Sequence, residues 1–305
     1  MSKNNRILIL LLAVLTALFF IVRHSTDHTE KRARLFDFNH NDLTAVEMIT
    51  ARDTLRISRQ DFTWVIEYPF YFDVNQSRLD SFFDQVLPVE KSSIPVAFSE
   101  DSFPKYQVTE ENGTVLNLYD TNDRLIDSVI IGRSGRFAYA RRPEINEVYQ
   151  LTENISFTVN PGLNQWRSNI IVSIPRSQIK SLEVKYELNN YTLTATDTLW
   201  LFTDNENSFS VAENTNAMSR LLSKIERMNS FAFKDFASEE YENLLQDPQL
   251  ILNIRTFDDS VLSLAFAYLE DEENFIVRRD EMIDHLFVID PETVDLFTKD
   301  PQHFR

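Results

Sequence analysis

The sequence predicts an α+β protein in which an N-terminal transmembrane helix precedes two tandem pseudo-symmetric repeats, each of antiparallel strands with one main amphipathic helix. Three observations predict this fold class. An uncharged apolar run occupies residues 7–22. A Trp in a short apolar run, then a polar turn and an amphipathic helix, occurs twice, over residues 64–89 and 199–228. Short β-prone runs accompany both copies at closely similar spacing.

Composition limits the classes of protein to consider. The 305 residues are 43% hydrophobic and 12% aromatic, which suffices for a folded core. A net charge of −17 disfavours a nucleic-acid partner, because the phosphate backbone would be repelled. Only four glycines argue against a Gly-rich phosphate loop. The absence of cysteine excludes disulfides, thiolate zinc sites and a Cys nucleophile.

The apolar run at residues 7–22 predicts the membrane segment. At 1.5 Å per residue a helix of this length spans about 24 Å, slightly less than a typical hydrocarbon core of ~30 Å. Lys3 and Arg6 precede the run and Arg23 follows it. No small-x-small pair follows the run, so the pattern favours an uncleaved signal anchor over the alternative, a cleaved signal peptide.

Residues 1–24 are therefore interpreted as a cytoplasmic tail with the signal anchor, and residues 25–34 as a charged juxtamembrane linker. A count of flanking basic residues alone would place the large domain inside the cell. Long domains, however, translocate largely regardless of flanking charge. We expect a single-pass inner-membrane protein with its large domain in the periplasm, or outside the cytoplasm.

The first repeat is predicted at residues 35–160. Its helix should begin near Asn75 and end at Pro88, which lacks the N–H that a helix needs. Apolar residues at helical spacing predict one buried stripe; they are Leu79, Phe82, Phe83, Val86 and Val89. Asn112-Gly113 predicts a tight hairpin between β-prone runs at residues 106–109 and 114–119.

The second repeat is predicted at residues 177–305, after a connector at residues 161–176 that begins with a Pro-Gly pair. Trp200 lies 136 residues after Trp64. A second helical stripe follows at the same internal spacing as the first; it consists of Met218, Leu221, Leu222, Ile225 and Met228. Later strands match at an offset of 138 residues. Conserved spacing over so many apolar positions indicates internal duplication.

Several short motifs resemble a bacterial family known only as domain of unknown function 4340. The motifs are Leu35-Phe36-Asp37-Phe38, Trp64 with Pro69 and Phe72-Asp73, Tyr139-Ala140-Arg141, Val148-Tyr149, and Trp166-Arg167-Ser168 followed by residues 179–184. The resemblance covers nearly everything after the anchor. It implies one membrane helix, an extracytoplasmic body and an association with gliding-type ABC transporter permeases. It supplies no catalytic residues and no cofactor.

Four arginines concentrate positive charge in one part of an acidic chain, and they form the main candidate site for a partner. They are Arg133, Arg136, Arg141 and Arg142. Strand alternation would place Arg136 and Arg142 on one face and Arg141 on the other. Such side chains could bind an anion, a carboxylate or a partner loop. The alternative is that they pair with nearby acidic side chains at the sheet edge.

An acidic run, residues 270–273, occupies the corresponding position in the second repeat, and Glu272 and Glu273 complete the candidate partner-binding set. The acidic run could instead be a solvated loop tip.

His285 is the one His inside a core-like strand, and no second His lies near it in sequence. We find no catalytic constellation, metal site or cofactor site. The sequence therefore predicts a non-enzymatic interaction module, accessory to an ABC-type transport system; the alternative is an extracytoplasmic ligand-binding protein or hydrolase with a site between the repeats.

Overall fold

The computed structural model describes residues 15–16, 32–187, 189–235, 239–279 and 285–305. Except for Leu15 and Thr16, the predicted anchor lies outside the described residues, as does the linker up to residue 31. No helix within the described ranges is long and apolar enough to cross a membrane. The chain divides between Ser168 and Asn169 into two compact units, at a point inside the predicted connector.

The first unit contains ten strands and three short helices among its described residues. The strands are β1 (Arg32–Arg34), β2 (Ala45–Ile49), β3 (Thr54–Gln60), β4 (Thr63–Tyr68), β5 (Phe72–Asp73), β6 (Glu90–Ser92), β7 (Thr114–Tyr119), β8 (Leu125–Ser134), β9 (Phe137–Arg141) and β10 (Tyr149–Gln150). The helices are α1 (Gln76–Ser81), continued by a π-helical turn at Phe82–Val86, then α2 (Phe103–Tyr106) and α3 (Leu163–Trp166). Short 3₁₀ turns lie at His40–Asp42 and Glu100–Ser102. This is the sheet-rich α+β composition that the sequence predicts.

The second unit has a similar set of elements. Its strands are β11 (Ile170–Val172), β12 (Ile179–Tyr186), β13 (Asn189–Ala195), β14 (Trp200–Thr203), β15 (Ser208–Val211), β16 (Met228–Asn229), β17 (Ala232–Asp235), β18 (Leu250–Thr256), β19 (Val261–Leu269), β20 (Asn274–Arg279) and β21 (His285–Ile289). Its helices are α4 (Asn216–Glu226), α5 (Glu239–Gln246) and α6 (Pro291–Asp295), with 3₁₀ turns at Arg176–Gln178, Glu270–Glu272 and Pro301–Phe304.

Each unit is built on one large antiparallel sheet. The strand order is β5-β4-β3-β2-β7-β8-β9-β10 in the first unit and β15-β14-β13-β12-β18-β19-β20-β21-β17 in the second. In both sheets, four strands that precede the main helix form one half, and four that follow it form the other. A small two-stranded sheet accompanies each large one, β1 with β6 and β11 with β16. The strand β17 is an additional edge strand in the second unit.

The central strands alternate between a buried apolar face and a more polar one, as expected for an antiparallel sheet with one face packed on the core. In β2, Val46 and Met48 are fully buried, whereas Glu47 between them is partly exposed. In β12, Leu182 and Val184 are buried in the same way. Alternate side chains point to opposite faces of a strand, so these residues mark the core side of each sheet.

The two main helices contribute the apolar stripes that the sequence predicts. Asn75 caps α1 by accepting a hydrogen bond from the backbone N–H of Arg78 at 3.3 Å. Thr215 caps α4 through the N–H of Met218 at 3.4 Å. In α4 the buried residues are the four predicted ones that lie in the helix, Met218, Leu221, Leu222 and Ile225, together with Ala217. The fifth predicted residue, Met228, is also buried but belongs to β16 and not to the helix.

The stripe of α1 differs from the prediction at three positions, Phe83, Leu87 and Val89, and Val89 is buried beyond the end of the helix. The backbone N–H of Leu87 donates to the carbonyl of Phe82, five residues earlier, at 3.3 Å. This π-helical turn rotates the following residues, so that Leu87 becomes fully buried. Phe83 stays partly exposed and packs edge-on against Trp64, with ring centroids 5.5 Å apart.

The predicted Asn112-Gly113 hairpin is wrong. Residues 103–106 form α2, not part of a strand, and residues 109–113 turn directly into β7. The reason is a close crossing over β8. A Cβ on Gly132 would lie 2.3 Å from the carbonyl oxygens of Tyr106 and Gln107, so only glycine lets this segment approach the strand.

Candidate functional site

The hairpin between β8 and β9 presents the first two candidate arginines to solvent. Ser134 pairs with Phe137, which leaves a two-residue turn of Gly135 and Arg136. Gly135 has φ 61°, a left-handed conformation that glycine adopts without strain. Because β9 begins at Phe137, Arg136 belongs to the turn, and its predicted place on the same strand face as Arg142 is wrong.

Arg133 and Arg136 are exposed, and each guanidinium lies over an aromatic ring. The Cζ of Arg133 is 4.5 Å from the ring centroid of Phe157, and that of Arg136 is 4.8 Å from the ring of Phe137. The Nε of Arg133 also donates to the carbonyl of Gly135 at 3.1 Å. Among the described residues, neither side chain has a carboxylate within 4.0 Å. We call residues 133–137 the basic tip.

Arg141 has a structural role inside the first unit. It is only 8% exposed, and its guanidinium lies 4.1 Å from the ring centroid of Phe103. Its Nε donates to the carbonyl of Val108 at 3.1 Å, and its Nη1 donates to that of Pro143 at 2.8 Å. Burial lowers the pKa of Arg141 from its ordinary value. Because its donors are used by backbone carbonyls, this guanidinium does not belong to the exposed tip.

Arg142 pairs with an acidic side chain, which is the alternative that the sequence left open. Its Nε and Nη2 donate to the two carboxylate oxygens of Asp127 at 3.1 and 2.8 Å. Its Nη2 also donates to the carbonyl of Leu35 at 3.0 Å. Bidentate geometry of this kind is the strong form of an Arg–carboxylate pair. The exposed part of the four-arginine set is therefore Arg133 and Arg136.

The hairpin between β19 and β20 presents the acidic residues. Leu269 pairs with Asn274, so residues 270–273 form a four-residue loop. Glu273 closes it in a left-handed conformation with φ 53°. Glu272 forms an ion pair with Lys234 of β17, and this hydrogen bond raises the pKa of Lys234. Residues 270–273 are exposed, and we call them the acidic tip.

The two tips occupy corresponding connections of the two sheets, since each joins the sixth strand in that order to the seventh. Their loops contain two and four residues. The strand registers give an offset of 135 residues before the hairpin, from Ser134 to Leu269, and of 137 after it, from Phe137 to Asn274. The difference in loop length therefore changes the offset by two, and the offset after the hairpin is one residue less than the predicted 138. The sheets thus place a basic loop and an acidic loop at the same topological position.

The described part of the chain holds no cluster of metal-binding side chains. No three His, Asp or Glu side chains there lie close enough to hold a metal ion. The Nδ1 of His285 lies 3.3 Å from the Oδ1 of Asp235 on the neighbouring strand β17, and its side chain is 12% exposed. A His–Asp contact between paired positions of two neighbouring strands is typical of a structural pair.

A polar cleft of about 690 Å³ lies within the second unit. It is lined mainly by amides, carboxylates and one phenol; its lining includes Tyr186, Asn189, Asp204, Asn207, Asp300 and Arg305. Partial burial opposes ionisation of Asp204, but hydrogen bonds from the N–H groups of Glu206 and Asn207 outweigh it and lower the pKa of this carboxyl. Asp204 is therefore a fixed acceptor and a poor general base.

Sequence reasoning missed two features of the first unit. One is the polar pair of Glu47 with Asn117, which faces away from the core. The other is a set of exposed apolar side chains, namely Ile94, Val96, Phe98 and Phe157. The sequence contains a pattern that indicates the second feature, because residues 94–98 form an apolar run between polar residues.

The comparison with protein families identifies one match. The family described as Domain of unknown function (DUF4340) matches residues 64–248, which is more than half of the chain. The chain belongs to this family. The match begins at Trp64 in β4, spans the boundary between the units and ends after α5. No curated protein and no solved structure matches the chain. DUF4340 membership carries no assigned activity, so function has to be argued from the geometry.

Proposed function

We propose that this DUF4340 protein is a membrane-anchored extracytoplasmic interaction module without catalytic activity, accessory to an ABC-type transport system. The observation that carries the proposal is the presence of two exposed hairpin loops of opposite charge at corresponding positions of the two sheets. The two units are tandem repeats in this proposal. Their matching strand orders, their paired small sheets and the corresponding positions of the two hairpins all support that interpretation.

The basic tip has the properties of a protein-docking loop. Its turn is short, and Arg133 and Arg136 lie over aromatic rings that restrict their side chains. Their charges are unpaired among the described residues, in a chain with a net charge of −17. Exposed charges of this kind steer association and select partners more than they stabilise a fold. A partner with an acidic loop fits this tip.

The acidic tip supplies the second contact. In a duplicated scaffold, the strands keep the fold, whereas connecting loops are free to change. Lys234 neutralises part of the charge of Glu272, but Glu273 at the loop end has no such ion pair within the described ranges. A partner with both a basic and an acidic patch would therefore be held at two points and in one orientation.

The proposed membrane location and transport partner are supported by the sequence and the family resemblance, and not by the two tips. The apolar run at residues 7–22 supports a single-pass anchor in the inner membrane, with the large domain in the periplasm. The family resemblance implies a gene that lies near those for gliding-type ABC transporter permeases and ATPases, which supports a membrane transport subunit as the partner. A reporter that is active only in the cytoplasm, fused after Arg305, should remain silent. Strong reporter activity would contradict the extracytoplasmic location.

Site-specific crosslinking in native membranes tests the proposal. The chain has no cysteine, so single Cys substitutions can carry a photoreactive probe without background labelling. Probes at Arg136→Cys and Asp271→Cys sample the two tips, and a probe at Phe62→Cys, which is 99% exposed, is the matched control. We expect both tip probes to crosslink to the same membrane transport subunit and the control to give no such product. Identical products at all three positions would contradict docking through the tips.

The polar cleft of the second unit favours a second candidate function, the binding of a polyhydroxylated ligand. Its lining holds no His, Ser or Cys, which disfavours a hydrolase site of the Ser–His or Cys–His type in this cleft. Titration with a panel of oligosaccharides, followed by thermal unfolding, tests it. A ligand that raises the unfolding temperature of the parent but not of Asn207→Leu would support this function, and no stabilisation by any member of the panel would contradict it.

A further inference from the structure

The first unit exposes a group of apolar side chains where a soluble surface would carry polar ones. Ile94 is 73% exposed, Phe98 64%, Val96 39% and Phe137 38%. Two backbone hydrogen bonds hold the segment beside Val148: the N–H of Val96 donates to the carbonyl of Val148 at 2.7 Å, and the carbonyl of Ala97 accepts from the N–H of Val148 at 3.0 Å. The segment bends at residues 93, 94 and 96, and it exposes the side chains of residues 94, 96 and 98. We call Ile94, Val96, Phe98 and Phe137 the apolar lip.

The apolar lip lies beside the N-terminal strand of the described chain. Arg32, Ile94, Val96 and Phe137 line one open cavity of about 360 Å³. The strand β1 pairs antiparallel with β6, and Arg32 lies opposite Ser92, two residues before Ile94. The chain thus arrives at the apolar lip directly from the direction of the predicted anchor.

The length of chain between the predicted anchor and the lip limits their separation. The apolar run ends at Val22 and β1 begins at Arg32. Ten residues span at most about 35 Å when fully extended. The lip is therefore held within reach of the lipid surface that the anchor occupies. This step rests on the proposed function, because the anchor is part of it.

The charges around the lip match an anionic lipid surface. Arg32 and Arg34 are exposed, and among the described residues neither has a carboxylate within 4.0 Å. The whole chain carries −17, so an anionic membrane would repel most of its surface. Basic residues beside exposed Phe and Ile are the combination that lies in the interface between headgroups and acyl chains. Glu100 and Asp101, which are also exposed, follow the lip in sequence.

We propose that the apolar lip rests in the headgroup layer of the membrane that holds the anchor, with Arg32 and Arg34 against anionic lipid headgroups. The contact would fix the orientation of the first unit relative to the lipid surface.

Fluorescence of the full chain in pure lipid vesicles tests this proposal. An environment-sensitive probe is attached at Ser93→Cys, which leaves the lip intact, or at the control position Phe62→Cys. Phe62 lies in the β3–β4 turn, at the opposite end of the sheet from the β8–β9 turn. We expect the Ser93 probe to shift to shorter emission wavelengths and to be quenched by nitroxide-labelled lipids. The shift should be larger when phosphatidylglycerol is added to phosphatidylcholine, and the Phe62 probe should show neither effect.

Two sets of variants separate the contribution of the apolar side chains to the lipid contact from that of the arginines. Ile94→Ser with Phe98→Ser should abolish the Ser93 shift, while Phe257→Ser, another exposed Phe, should leave it unchanged. Arg32→Glu with Arg34→Glu should weaken its dependence on phosphatidylglycerol, and Arg136, whose guanidinium lies over the ring of Phe137, should retain the remainder. The matched pair Arg52→Glu with Arg59→Glu, both exposed, should retain that dependence.

Three outcomes would overturn the proposal in distinguishable ways. A protein that a carbonate wash releases from the vesicles would contradict the anchor and therefore the proposed function. A protein that stays with the vesicles while the Ser93 probe behaves like the Phe62 probe would contradict lipid docking alone. A Ser93 shift that occurs in native membranes but not in pure lipid would show that a protein covers the lip instead.

Discussion

Asn117 donates a hydrogen bond from Nδ2 to the Oε2 of Glu47 at 3.0 Å, across directly opposed positions of β7 and β2. The same arrangement recurs in the second unit, where Asn253 donates to Glu183 at 2.7 Å across β18 and β12. Each residue lies 136 positions after its counterpart. Two polar pairs at matching positions of two sheets are a further argument that the units derive from one ancestral repeat.

Double-mutant cycles on both pairs should give coupling energies of the same sign. We expect about 1 kcal/mol for Glu47 with Asn117, since hydrogen bonds to charged groups are stronger than neutral ones. The coupling energy should be smaller for Glu183 with Asn253. The Glu183 side chain is 44% exposed, and water competes for its hydrogen bonds. Urea unfolding of the Ala variants measures the coupling. Asn117→Ala combined with Arg52→Ala is the control and should be additive; additivity in either polar pair would show that its bond contributes nothing.

Glu183 also gives the protein a defined pH dependence. Hydrogen bonds from Lys185 and Asn253 lower its pKa below the ordinary value of about 4.5. A depressed carboxyl pKa contributes stability that is present above about pH 4.5 and is lost as the pH falls through the folded-state pKa. Glu183→Gln should therefore be less stable than the parent at pH 7, and the difference should shrink below about pH 4.5. Denaturation midpoints measured across this range check the prediction, and a difference that does not change with pH would contradict it.

Arg141 should be essential for the stability of the first unit. Its removal would leave the carbonyls of Val108 and Pro143 without their donor in a buried site. Arg141→Ala should cost about 3 kcal/mol of unfolding free energy, and Arg141→Lys should not rescue it, because an ammonium cannot form the same fork of bonds. Arg136→Ala, in the exposed turn, is the control and should unfold like the parent. If Arg141→Ala has the same free energy of unfolding as the parent, these hydrogen bonds do not stabilise the unit and the prediction is wrong.

A charge on either buried helix stripe should unfold the unit that contains it. Phe82 and Leu222 are both fully buried. An unpaired carboxylate at either position should cost about 5 kcal/mol, comparable to the whole stability of many domains. Phe82→Asp and Leu222→Asp should therefore lose cooperative unfolding, whereas Arg220→Asp, on the exposed face of α4, should keep it. Circular dichroism during heating compares the three variants.

The sequence was sufficient where a periodic pattern determined the outcome. The helical spacing of Leu221, Leu222 and Ile225 predicts the buried face of α4, because burial of a helix stripe needs only local periodicity. In α1 the π-helical turn after Ser81 changed the register, and no residue type marks such a turn. The local pattern therefore predicts the helix but does not predict every buried residue in it.

Contacts between distant residues explain what the sequence could not predict. The Asn112-Gly113 signal is a strong local preference, but the crossing of residues 106–107 over Gly132 decides the backbone there. Likewise, Arg141 resembles its exposed neighbours in sequence, and its burial depends on the carbonyl of Val108, 33 residues earlier. A basic cluster in a sequence thus contained two structural arginines and two exposed ones.

The proposed docking role depends most directly on the charges of the two tips. Full-length protein carrying Arg133→Glu with Arg136→Glu, or Glu272→Lys with Glu273→Lys, is purified from native membranes at low and moderate salt. Arg52→Glu with Arg59→Glu and Glu187→Lys with Asp197→Lys are the matched exposed controls. Thermal unfolding establishes that each variant is folded.

We predict that each tip variant unfolds like the parent and recovers roughly tenfold less of the transport partner at low salt. The difference should narrow at moderate salt, because exposed charges are screened over about 10 Å at ~0.1 M and less at higher salt. The control pairs should recover the partner as the parent does. Undiminished recovery by both folded tip variants would contradict the account and place the docking surface elsewhere on the protein.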